Sequence, residues 1–203
     1  MILKKTDIEN LESRYRATLI NSLAGYKTAF LIGTKSNDGI TNLATFNSLI
    51  HIGADPALYG FISRPETVKR DTLSNIQENG FYSFNFIQSK EYKKVHQCSA
   101  KYDRAISEFE AVGFEEDYQE GFFAPFVRDA VVKIGLKFLE KIDIKINGTS
   151  MIIGSIELLQ LNETIISQDG FAAIEKENTL ACVGLDAYYK PEFIGRLPYA
   201  RPE

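Results

Sequence analysis

The 203-residue sequence predicts a mainly β fold: an antiparallel barrel or closed sheet with a few helices packed around it. Stretches with a two-residue apolar period outnumber those with a helical period. Successive β-like stretches are joined by tight-turn sequences, and no regular alternation of strand and helix appears that would build a parallel sheet. A dinucleotide fold is further disfavoured because the glycines of "LAGYKTAFLIG" have neither the GxGxxG spacing nor its strand-turn-helix context.

Each element follows from its local pattern. Ile8, Leu11, Tyr15, Leu19 and Leu23 recur at three or four residues, which predicts an amphipathic helix over about 8–24. "TAFLIGT" and "ITNLATF" flank Asn37-Asp38-Gly39, a turn whose residues tolerate left-handed backbone, so a hairpin is expected. "ADP" at 54–56 interrupts the chain before the strand "ALYGFIS". "DTLSNIQENG" starts on a side-chain acceptor, places Leu73 and Ile76 on one face and ends in Asn79-Gly80, as a short helix should. "FYSFNFI" alternates like a strand, whereas "KYDRAISEFEAVG" sets Tyr102, Ala105, Ile106, Phe109 and Val112 on one helical face. Period two returns from residue 132, and Asn147-Gly148 turns the chain into "TSMIIGSIELLQL". The aromatic, proline-rich tail from about 186 to 203 shows too little periodicity for a regular element.

Composition narrows the function classes. The chain is 44% hydrophobic, enough for a sizeable core, and it is expected to form a single domain over 1–203. Its 23 basic and 27 acidic residues are interspersed, so nucleic acid is not expected as the principal partner. No run of about 18 uncharged apolar residues occurs, and "MILKKTDIENLESRYR" turns polar before a signal-peptide core could form. A soluble, cytoplasmic protein without a membrane partner is expected. Cys98 and Cys182 lack paired spacing and read as packed thiols, and neither His51 nor His96 has neighbouring ligands, so no metal is expected. No GxSxG elbow anchors a hydrolase triad.

Three segments differ from plain scaffold. "NLATFNSL" brings Thr45, Asn47 and Ser48 to the end of an apolar strand; these groups either satisfy nearby backbone or hold a polar heterocycle or phosphate. In "FISRPETVKRDT", Arg64, Lys69 and Arg70 lie within seven residues of a chain with net charge -4, beside Ser63 and Thr72. That cluster is either a solvated turn or an anion site built on a helix N-terminus, where unsatisfied N–H groups and the dipole favour negative charge. "HQCSAKYDR" adds a serine, Ala100 and Lys101 at the expected start of another helix.

The order of these segments, "KTAFLIGTKSNDGITNLATFNSL", "SRPETVKRDTLSNIQENGFYSFNF" and "SAKYDRAISEFEAVGF", resembles the flavin reductase-like family over about residues 27–160. The closing "DAYYKPEFIGRLPYARP" resembles the tail of one branch of it. The resemblance implies a six-stranded antiparallel FMN-binding split barrel of Greek-key type, usually a homodimer. It implies that Thr45, Phe46, Asn47 and Ser48 line the isoalloxazine and ribityl chain. Ser63, Arg64, Arg70 and Thr72 would then face the phosphate, with Ala100 and Lys101 closing the far side and Lys69 either on the phosphate or in solvent. The implied activity is hydride transfer from NADH or NADPH to flavin and onward to an acceptor, with an electron-acceptor protein among the candidates, the cofactor carrying the chemistry and no catalytic acid or base named. His51, His96, Tyr188, Tyr189 and Tyr199 either border the nicotinamide face or serve as packing aromatics, and the acceptor is expected to face residues 114–131. The alternatives are a non-enzymatic FMN-binding electron carrier and an interaction barrel that has lost its cofactor.

Overall fold

The first anticipated hairpin joins β2 (Phe30–Lys35) to β3 (Thr41–Phe46), pairing Phe30 with Phe46 and Lys35 with Thr41. Gly39 closes its turn at φ 86°, a conformation that side chains with a Cβ rarely adopt. The computed structural model describes residues 1–65 and 70–202. Lys69, one of the predicted cations, therefore lies outside the described residues.

A seven-stranded, wholly antiparallel sheet runs β3-β2-β6-β9-β10-β5-β4, with β4 (Leu49–Ala54), β5 (Ala57–Ser63), β6 (Phe81–Phe86), β9 (Val132–Ile144) and β10 (Thr149–Leu161). One strand more than the expected six is present. β4 supplies it, because the "ADP" interruption is itself a hairpin turn that folds β4 back onto β5. Among the described residues, smaller sheets join β1 (Lys27–Thr28), β11 (Ala181–Val183) and β12 (Ala187–Tyr189), and β7 (Glu116–Asp117) to β8 (Phe126–Val127). β12 is a regular element within the tail, where none was expected.

The core has two principal parts because β2 is buried on both faces. Phe30 and Ile32 join Phe61, Leu73, Ile76, Tyr82, Phe84, Ile134, Leu136 and Ile152, while Ala29 and Leu31 join Leu43, Val95, Phe109, Leu180 and Cys182. A strand buried on both sides reads as a continuous apolar run, as "AFLI" does.

The helices correct three expectations. The N-terminal helix is two helices, α1 (Lys5–Asn10) and α2 (Ser13–Leu23), because the Glu12 carboxylate accepts from the backbone N–H groups of Arg14 and Tyr15 and starts α2 afresh. α3 (Asp71–Asn79) ends in left-handed Gly80 as expected, but its N-cap is Arg70, which makes no side-chain capping bond. The helix expected from Lys101 begins only at Glu108, as α5 (Glu108–Val112). Preceding it is α4 (Tyr92–Gln97), which the sequence pattern did not reveal. Ala100 and Lys101 follow the end of α4 instead of opening a helix.

Candidate functional site

The C-terminal half of β3 is the hub around which the predicted segments assemble. Thr45 Oγ1 donates to the carbonyl of Val95 and ties β3 to α4. Asn47 Nδ2 donates to the carbonyl of Gly184 at 2.8 Å and contacts Cys182 Sγ at 3.2 Å, tying the same strand end to β11. Ser48 Oγ donates to the Ile62 carbonyl at 3.2 Å and accepts from the Ile62 N–H at 3.1 Å. That double contact sets the β3 end beside the end of β5, where Ser63 is the last strand residue and Arg64 follows it. Phe46 packs edge-on against Phe61 at 4.9 Å and is part of the core wall. The small polar groups of 45–48 thus satisfy neighbouring groups of the chain, and in doing so they hold four segments around one place.

Arg70 is the N-cap of α3 and follows Arg64 by six residues in the chain. Ser63 is buried, whereas Arg64, Arg70, Ala100 and Lys101 are exposed. None of the three cations pairs with a carboxylate among the described residues. The 100–104 segment is drawn in by Arg104, which faces Asp71 in the first turn of α3 at 3.9 Å. Thr72, the second residue of α3, is buried and accepts from Asn42 Nδ2 at 2.9 Å. A helix N-terminus without a side-chain cap, the Arg70 cation at it and the Thr72 hydroxyl in its first turn are donors suited to an anion, so these residues fit the phosphate end of FMN.

Sequence reasoning missed Asn42. The signal was available as a polar residue inside the apolar run of β3. A cavity of about 10 Å³ lies behind the same corner, lined by Ser36, Thr41, Asn42, Asp71, Asn75 and Glu108 among others. It has room for about one water, and Asn75, whose buried Oδ1 has no partner, is among its lining residues. Glu108 accepts from the Leu43 N–H at 2.9 Å; burial pushes its carboxyl above the ordinary value, with the Asp71 charge adding to the effect. A larger cavity of about 240 Å³ lies under the tail between Thr28, Leu180 and Phe193, away from all ten predicted site residues.

The remaining aromatics separate. His96 Nδ1 and Tyr188 Oη lie 3.1 Å apart, on the wall that Asn47 joins to β11, and Tyr188 is pushed up to about 12, chiefly by burial. His51 lies at 6.0 Å from Tyr59 on β4 and β5, Tyr189 packs on Tyr26 at 4.9 Å, and Tyr199 is exposed in the tail. Within 114–131, Phe122, Ala124 and Phe126 form an apolar cluster of their own, and Asp117 accepts from Lys133 at 2.6 Å.

A split antiparallel barrel flanked by helices, with cations at one strand-to-helix corner, defines the class of protein. The chain belongs to the flavin reductase-like family, whose model, the flavin reductase like domain, matches residues 25–174. A crystal structure of a split-barrel protein from Shewanella frigidimarina NCIMB 400, whose flavin reductase role is itself an assignment, is 42% identical with TM-score 0.94, covering 98% of this chain and 100% of that one. The 2-nitrobenzoate 2-nitroreductase of Pseudomonas fluorescens shares the fold at 22% identity and TM-score 0.82, covering 98% and 96%. An FMN-binding protein from Thermus thermophilus does so at 16% identity and TM-score 0.72, covering 87% and 93%.

Proposed function

We propose that the protein is an FMN-dependent oxidoreductase that takes hydride from NADH or NADPH and passes electrons to an acceptor, acting as a cytoplasmic homodimer. The observation that carries this reading is Arg70, unpaired among the described residues, at the uncapped start of α3, with Arg64 six residues before it in the chain. Bound FMN would supply the hydride-accepting chemistry, which no side chain of this chain can replace. Arg64, Arg70, Lys101 and Thr72 hold the phosphate end. Thr45, Asn47 and Ser48 fix the wall along which the ring and ribityl chain lie, and the His96–Tyr188 pair borders the face left for the nicotinamide. Two buried free cysteines fit a reducing compartment. Among the described residues, no helix is long and apolar enough to cross a membrane.

The test is the visible spectrum of the purified protein, followed anaerobically with NADH and then NADPH. Flavin bands that bleach with one of them support the reading and identify the donor. Bands that persist would leave an electron carrier, and a colourless protein indifferent to added FMN would end the flavin reading. The phosphate seat is tested by Arg64→Ala. Loss of one charge-assisted bond, about 1.5–3 kcal/mol, should raise the Kd for FMN roughly ten- to 150-fold while leaving riboflavin unchanged. Equal losses for both ligands would remove Arg64 from the phosphate site. Sedimentation at micromolar concentration tests the dimer, and a monomer that binds FMN normally would refute that part.

A further inference from the structure

The contact between α3 and strands β2 and β3 contains four buried polar residues where apolar ones would pack as well. Asn42 Nδ2 donates to Thr72 Oγ1 at 2.9 Å, and Asn75 Nδ2 donates to Thr34 Oγ1 at 3.1 Å. Thr34 is wholly shielded, Asn75 is 2% exposed, Thr72 6% and Asn42 9%. Placing such groups inside costs free energy unless they are bonded, and even when bonded they add little net stability over well-packed methyl groups. Stability alone therefore does not account for them. Directional bonds do something methyl groups cannot: they set the rotation of a helix and the direction of a hydroxyl.

The hydroxyl in question stands where direction matters. Thr72 is in the first turn of α3, one residue from Asp71 and two from the exposed Arg70. Its oxygen already accepts from Asn42, and no acceptor among the described residues takes its hydrogen. A hydroxyl whose oxygen is held by an amide donor has its own hydrogen left to give.

We propose that Asn42 is a positioning residue for the phosphate end of the flavin. By donating to Thr72 Oγ1 it turns the threonine hydrogen outward as a donor, so that this chain discriminates FMN from riboflavin through a residue that never touches the ligand. The inference rests on the FMN reading above. It adds a specificity determinant on β3, within the same strand whose far end forms the ring wall.

The experiment measures Kd for FMN and for riboflavin by flavin fluorescence with flavin-free protein, in the natural chain and in Asn42→Ala, Thr72→Val and the double variant. Asn42→Ala should weaken FMN about three- to ten-fold, the effect expected of one neutral hydrogen bond, and leave riboflavin unchanged. Thr72→Val, which removes the hydroxyl's bond to the charged phosphate outright, should weaken FMN roughly ten- to 150-fold, and the double variant should be no weaker than Thr72→Val alone, because both changes act on one shared contact. If Asn42→Ala does not fold, Asn42→Asp keeps the shape but draws the threonine hydrogen to its own carboxylate, and it should weaken FMN selectively. An unchanged FMN-to-riboflavin ratio in the Asn42 variants, alongside a changed ratio in Arg64→Ala, overturns the positioning role and leaves the FMN reading standing. Unchanged ratios in every variant, Arg64→Ala included, overturn the phosphate seat itself.

Discussion

Glu108 shows how a single buried carboxyl shapes the response to pH. Burial raises its pKa from the ordinary 4.5, against the lowering effect of the Leu43 N–H. A raised carboxyl binds its proton more tightly in the folded state, so the folded protein loses stability as pH climbs from about 4.5 through the folded value. Glu108→Gln keeps an acceptor for Leu43 and removes that titration. Its stability relative to the natural protein should rise between pH 4 and pH 7, read as denaturation midpoints at both; a constant difference would mean Glu108 does not titrate there. Cys98, near the same carboxylate, is pushed up to about 12 by burial first and by the Glu108 charge second. It should therefore resist alkylation at pH 8 in the folded chain and react once unfolded, and rapid alkylation of folded protein would contradict its burial.

Between elements, one close fit is where β6 meets the β9–β10 hairpin. A Cβ at Gly154 would lie 2.9 Å from the carbonyl of Lys137 and would also run into the Tyr82 hydroxyl, so glycine is required there by crowding. Gly154→Ala should cost about 1–3 kcal/mol, the usual effect of overpacking. Tyr82 itself is fully buried and its hydroxyl has no partner among the described residues, while burial pushes its pKa up strongly. Removing an unsatisfied buried hydroxyl is nearly neutral or stabilising. Tyr82→Phe should leave the melting temperature unchanged or raise it, and a clear drop would reveal a hydrogen bond that the hydroxyl makes in solution.

At the scale of the whole molecule, the tail is held first by the pairing of β12 with β11 and further along by an ion pair. Arg196 pairs with Asp169 at 2.6 Å and sits 4.4 Å over the Phe171 ring, while Phe193, Ile194, Leu197 and Tyr199 remain exposed. Asp169 is held down to about 2, first by the Ser167 hydroxyl and then by Arg196. A depressed carboxyl contributes above its ordinary value and loses its effect as pH falls through the folded one, so the anchor persists throughout the neutral range and is lost between about 4 and 2. Arg196→Ala should speed chymotryptic cleavage at Phe193 and Tyr199 several-fold at neutral pH, and an unchanged rate would show that other contacts hold the tail.

The sequence by itself determined the mainly antiparallel architecture, both strong hairpins, the limits of α3 at Gly80 and the cationic corner. These rest on period, turn chemistry and charge, all of which act over a few neighbouring residues. Only the tertiary structure decided that α4 exists, that 101–107 is not helical, and that Thr45, Asn47 and Ser48 spend their donors on Val95, Gly184 and Ile62. Asn42 stood out as a polar residue in an apolar run, but its role was not legible for the same reason, since its partner Thr72 lies 30 residues away. A donor in a strand acquires its meaning only when folding places an acceptor opposite it, and that pairing is a property of three dimensions.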